Sequence, residues 1–121
     1  MTDKTVKLVV YVPETHADAV RQALGEAGAG KVGDYSFSSF SVKGTGRFLP
    51  LEGAHPTIGE VGKLEAVAEE RIETVCYEQD LEKVIDAVKK VHPYEQVAID
   101  VYPLLTNPHE LTHNPYRQPE D

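Results

Sequence analysis

An α+β sandwich, with two helices on one face of an antiparallel sheet, is predicted by three observations on this chain of 121 residues. Alternating β-branched stretches recur along it, two segments carry apolar residues at helical spacing, and strand patterns flank each of those segments. With 40% hydrophobic residues the chain can bury one core, and its length suits one domain. The expected division is a folded part at residues 1–105 and a C-terminal tail at 106–121.

Residues 6–12, VKLVVYV, alternate Leu8, Val10 and Val12 and read as a largely buried strand ended by Pro13. Thr15 and Asp18 then resemble a capping box, and Ala17, Val20, Ala23, Leu24 and Ala27 keep a helical spacing up to Gly28. Residues 35–42 alternate, Gly44-Thr45-Gly46 reads as a turn, and RFLPL resumes an extended course. A hairpin is therefore expected here, with Pro50 limiting its second strand to a short or edge role. From Glu52 to Lys63 three glycines and a proline leave no period, so this is the long loop of the domain. VAEERIETVCY sets Ile72, Thr74 and Cys76 against Arg71, Glu73, Val75 and Tyr77, which is a strand. Leu81, Val84, Ile85, Val88 and Val91 form one helical stripe behind an Asp80 cap, with lysines at the far end and Pro93 as the stop. Val97, Ile99 and Val101 alternate with Ala98, Asp100 and Tyr102 in a last strand. This βαβ-βαβ order is that of a ferredoxin-like fold, and the sheet face away from the helices must be solvated or covered by a partner.

Charge and cysteine usage narrow the function. Twelve basic against twenty acidic residues leave a net charge of -8, which opposes binding to nucleic acid or to an anionic membrane. No stretch is long and apolar enough to cross a bilayer, and the start MTDKTVK has no apolar run like that of a signal peptide. Cys76, the single cysteine, excludes an internal disulfide and is expected to be a small core residue. A cytoplasmic location follows.

Two motifs are decoys. HELTH, from His109 to His113, spells a zinc-peptidase pattern, but that pattern needs a helix that brings both imidazoles to one face. Pro108 and Pro115 bracket it without an apolar stripe. Gly25, Gly30 and Lys31 satisfy the spacing of a phosphate loop, yet these glycines follow a helix, where the dipole repels phosphate.

VHPYE, residues 91–95, is richer. His92 serves as a cation at a helix C-terminus and Tyr94 packs at the sheet edge, but Glu95 has no structural duty. A histidine and a carboxylate on an irregular join can converge on a metal or polar ligand, with His55, Glu60 or Glu65 approaching from the long loop. Arg47 is a lone fork donor in a glycine-rich block, suited to a carboxylate or phosphate.

The run GTGRFLPLEGAHPTIGEVGKLEAVAEERIE, then VHPYE and AIDVYPL, resembles the insert domain of the Nif-three-like family, YqfO type, over residues 6–104. The HPYE join and element order also resemble the CutA divalent-tolerance proteins and, more distantly, the PII signalling proteins. The resemblance implies a CutA/PII-like subunit that forms trimers through sheets and loops. Full-length members place this module within a larger core holding a two-metal centre, which is missing from this sequence, so hydrolase activity through that centre is not carried over. His92, Pro93, Tyr94 and Glu95 match the HPYE motif, and Gly46, Arg47 and Phe48 the GRF motif.

The sequence thus reads as a non-catalytic, oligomeric binding or regulatory module. Its ligand is a small anionic metabolite, a divalent metal ion or a protein partner, bound by Arg47, His55, His92, Tyr94 and Glu95, with no cofactor required. The alternative is a metal-dependent hydrolase or divalent-metal-binding protein using His92, Glu95 and His55, the metal resting on His92 and Glu95. Arg47 repels a free cation and tilts the reading towards the anion. The join after the second helix and the Gly46 stretch are expected at the same end of the sheet.

Overall fold

The computed structural model describes residues 4–105. The HELTH pentapeptide and the rest of the tail from residue 106 lie outside them. The elements are β1 (Thr5–Pro13), α1 (Ala17–Glu26), β2 (Phe40–Phe48), β3 (Glu65–Tyr77), α2 (Leu81–Val91) and β4 (Ala98–Pro103). The strands form one antiparallel sheet in the order β2-β3-β1-β4, which is the ferredoxin-like arrangement. Among the described residues no helix is long and apolar enough to cross a membrane.

β1 sits inside the sheet because it is apolar on both faces. Val6, Leu8, Val10 and Val12 lie under the helices, where they meet Val20 and Leu24 of α1, Ile72 and Cys76 of β3, and Val84 and Val88 of α2. Val9 points the other way and is still fully buried. Long side chains roof it: Lys7 reaches Glu73 across the β1–β3 pair at 3.4 Å, and the Arg71 guanidinium lies 5.9 Å from the centre of the Tyr11 ring. The open face is therefore closed in part by the chain's own polar residues.

The helical stripes fall where the spacing puts them, but the expected caps do not form. Neither Thr15 nor Asp80 makes a capping hydrogen bond, and the Thr15 hydroxyl pairs instead with His16 Nδ1 at 2.8 Å. Each helix is entered through a 3-10 turn, Glu14–His16 or Glu78–Asp80, whose carbonyls accept the first amides. α1 is also fixed to the sheet by Arg21, which donates to Glu70 at 2.6 Å and to Ser41 at 3.0 Å. Asp18, then Glu70, raise the Arg21 pKa further.

The expected hairpin through Gly44-Thr45-Gly46 is corrected. β2 runs straight from Phe40 to Phe48 and pairs along its whole length with β3, Gly44 opposite Glu69 and Gly46 opposite Val67. Neither glycine has a positive φ, so neither turns the chain. Residues 32–39 form a loop instead, and the true β2–β3 connection is the long loop 49–64. Its turns use the left-handed Gly53, Gly59 and Gly62, and Gly62 closes it by donating to the Pro50 carbonyl at 2.8 Å.

Candidate functional site

At the end of the sheet where β1 leaves and β4 enters, loop 49–64 arches over the open face and leaves a cleft of about 600 Å3. Its walls are largely apolar, with Tyr11 and Phe48 from the strands, Leu51 and Ile58 from the loop, and Tyr94 from the join after α2. Arg47, Glu69 and Glu95 contribute the charges.

Both short motifs acquire a physical meaning here. In VHPYE, His92 is buried and its Nε2 lies 2.7 Å from the Tyr11 carbonyl oxygen, while its Nδ1 accepts the Tyr94 N–H at 3.2 Å. A carbonyl can only accept, so Nε2 carries the proton and the ring is the neutral tautomer. Burial pushes the His92 pKa down, against the opposing pull of the Tyr11 carbonyl and the Glu69 charge. The expectation of a cationic helix cap is thereby corrected: His92 is a neutral latch between α2 and β1. Tyr94 follows from it, meeting the Phe48 ring edge-on at 5.6 Å and donating its hydroxyl to Glu69 Oε2 at 2.8 Å. Burial first, and then Glu69, hold that phenol protonated far above its ordinary range. Glu95 has the structural duty the sequence withheld, since its Oε1 accepts the His55 amide at 2.8 Å and ties the long loop to the join.

In the GRF motif, Gly46 lies where any β-carbon would overlap the Glu69 carboxyl group. Arg47 is exposed and makes no ion pair among the described residues. Phe48 is the wall against Tyr94.

The structure thus brings Arg47, Tyr94 and Glu95 to one cleft and His55 beside it through its backbone. His92 stands behind Tyr94 and does not line the cleft. Both of its ring nitrogens are engaged, and among the described residues no three His, Cys, Asp or Glu side chains are grouped to hold a metal ion. His92 and Glu95 are thus each engaged with backbone groups of the fold. Cys76 is buried in the core, and burial raises its thiol pKa to about 11.

Comparison with known proteins decides the family. The chain matches no family model. It is 54% identical over 103 residues to the GTP cyclohydrolase 1 type 2 homolog of Halalkalibacterium halodurans, covering 85% of this chain and 28% of that protein. The Bacillus subtilis homolog of the same name is 54% identical over 109 residues, 90% of this chain and 29% of that protein. The crystal structure of a Bacillus cereus protein related to NIF3 superposes with a TM-score of 0.77 at 50% identity, over 88% of this chain and 27% of that one. The chain belongs to the Nif-three-like family.

Within that family this chain spans less than a third of the relatives it matches. Two more distant likenesses bear on the fold alone. The Bacillus subtilis GlnK-ATP complex aligns at TM-score 0.59 and 17% identity, over 86% of this chain and 84% of that one. CutA from Synechococcus elongatus aligns at 0.61 and 16%, over 85% and 79%. This Nif-three-like module is therefore CutA/PII-like in architecture.

Sequence reasoning missed Glu69 and Tyr11. Glu69 sits in the charged run Glu69-Glu70-Arg71 and looks like solvated surface. The available signal was Gly46, because a glycine inside a strand marks a place where something approaches the backbone closely.

Proposed function

We propose that this module binds, without transforming it, a small ligand with an apolar body and an anionic group in the cleft under loop 49–64. One observation carries the reading: an apolar cleft of about 600 Å3 whose rim holds Arg47 without an ion-pair partner among the described residues. That size suits a small molecule, and a free guanidinium fork favours a carboxylate, sulfonate or phosphate. Binding rather than catalysis is supported by the state of the reactive groups. The thiol is buried, the imidazole is locked neutral, and the Tyr94 phenol is held protonated. The cyclohydrolase in the relatives' names describes proteins of which this chain spans under a third, and it is not part of this reading.

1-Anilinonaphthalene-8-sulfonate, an aromatic anion, is a suitable probe. Its fluorescence should rise on titration with the protein, and Arg47→Gln should weaken binding about tenfold, as expected for loss of a charge-assisted hydrogen bond. Ile58→Asp should abolish the response by charging an apolar wall. A titration curve unchanged in both variants would remove the cleft from consideration. One-site zinc binding lost in Glu95→Gln would restore the metal-based alternative with His92, Glu95 and His55.

We also take the module to be a cytoplasmic homo-oligomer, three-fold in symmetry. Phe40 and Val42 support this, being 66% and 46% exposed side by side on the open face of edge strand β2, where a second copy can cover them. Light scattering should give three times the chain mass, and a monomer mass at working concentration would exclude the trimer.

A further inference from the structure

Glu69 is 8% exposed, yet no lysine or arginine pairs with it among the described residues. Its Oε2 accepts the Tyr94 hydroxyl, whereas its Oε1 makes no hydrogen bond among the described residues. Among the described residues Oε1 is not one of the side-chain atoms sealed from water without a partner, so it stands open to a donor entering the space in front of it.

What Glu69 meets is the cleft, whose floor it helps to line. Gly46 keeps that floor open, because any side chain there would overlap the Glu69 carboxyl group. The neighbouring walls are the rings of Tyr11, Phe48 and Tyr94. A lone acceptor ringed by aromatic faces complements a cationic nitrogen, which satisfies the acceptor and gains from the π-faces. Arg47 and Gly46 are successive strand residues and so project to opposite faces of β2, which sets the guanidinium apart from the carboxyl group.

We infer that Glu69 reads a protonated amine or similar N–H donor on the ligand, its bond ending on Oε1. This rests on the cleft being a binding site and adds a cationic pole to a ligand otherwise defined by an apolar body and an anion. Glu69 is then a specificity residue, and Tyr94 holds its other oxygen in place.

The test compares 2-phenylethylammonium with its neutral counterpart 2-phenylethanol by NMR titration of the full chain. The ammonium compound should bind about tenfold tighter than the alcohol, the effect of one charge-assisted hydrogen bond. Glu69→Gln keeps an acceptor for Tyr94 and removes the charge, so the preference for the ammonium compound should vanish. Equal affinities in the wild type, or a preference that survives Glu69→Gln, would overturn the assignment. If Glu69→Gln loses the sulfonate response because the cleft has collapsed, the wild-type comparison decides alone. A wild type that never binds the sulfonate refutes the cleft, which is a separate failure.

Discussion

Replacing Gly30 by alanine should destabilise the fold by about 3 kcal/mol or more. Gly30 has a φ of +84°, and a β-carbon there would stand 2.5 Å from the Ser38 carbonyl oxygen and 2.6 Å from its nitrogen. These are backbone atoms and cannot swing aside. Ser38 is itself fixed, since its N–H donates to the Gly30 carbonyl at 2.9 Å and its carbonyl accepts the Thr74 hydroxyl at 2.8 Å. Gly30 N–H in turn donates to Val75 at 2.8 Å, so the crossing from α1 to β2 is fastened to β3 at this point. Gly33→Ala separates the two causes, because Gly33 also has a positive φ, +55°, but no atom within 4 Å of the added carbon. It should cost only the left-handed conformation, about 1–2 kcal/mol. Urea unfolding of the two variants measures the difference, and equal losses would show that the overlap with Ser38 is relieved at no cost.

The second large effect is expected at His92. His92→Leu keeps the bulk and removes both hydrogen bonds, leaving the Tyr11 carbonyl and the Tyr94 amide without these partners. Each group stranded in this way costs about 1–3 kcal/mol, so a loss of about 2–6 kcal/mol is expected at neutral pH. The pH dependence gives a second signature. His92 titrates lower in the folded chain than in the unfolded one, because burial disfavours the imidazolium. As pH falls through about 6.5 the unfolded chain takes up a proton that the folded chain refuses. Its contribution to stability is therefore complete above that pH and declines on acidification, until the pH reaches the folded-state pKa. The leucine variant lacks this dependence, so the gap between the two proteins should narrow from about pH 7 to about pH 5.5. A gap that is constant or widens over that interval would mean that His92 is not held neutral in the fold.

These two positions also show how far the short motifs can be read. HPYE and GRF stand out in the sequence as groups of functional residue types, and three of their seven members prove to be supports. His92 latches α2 to β1, Glu95 tethers the long loop through the His55 amide, and Gly46 clears space for a carboxyl group. Phe48 and Tyr94 wall the cleft, and Arg47 stands at its rim. The polar groups that looked available for a metal are occupied by backbone partners, and a linear sequence does not reveal where the backbone of a distant strand will lie.

The sequence alone determined the ferredoxin-like order, because periodicity is a local property. Alternation in β1, β3 and β4 and the stripes on both helices follow from which side chains must leave water, whatever lies opposite them. It also determined that the glycines after α1 end a helix rather than open one. Only the tertiary structure decided what Gly44 and Gly46 do. The same residue type permits a turn and permits close approach, and the choice depended on Glu69, more than twenty residues further along, lying across the strand. Only the tertiary structure, too, made a site of Tyr11, Phe48, Glu69 and Tyr94. They come from three strands and a join, and antiparallel pairing with the arch of loop 49–64 brings them together. Burial, which turns Glu69 from a surface charge into a buried acceptor and His92 from a cation into a neutral latch, belongs to the packed assembly and not to any residue within it.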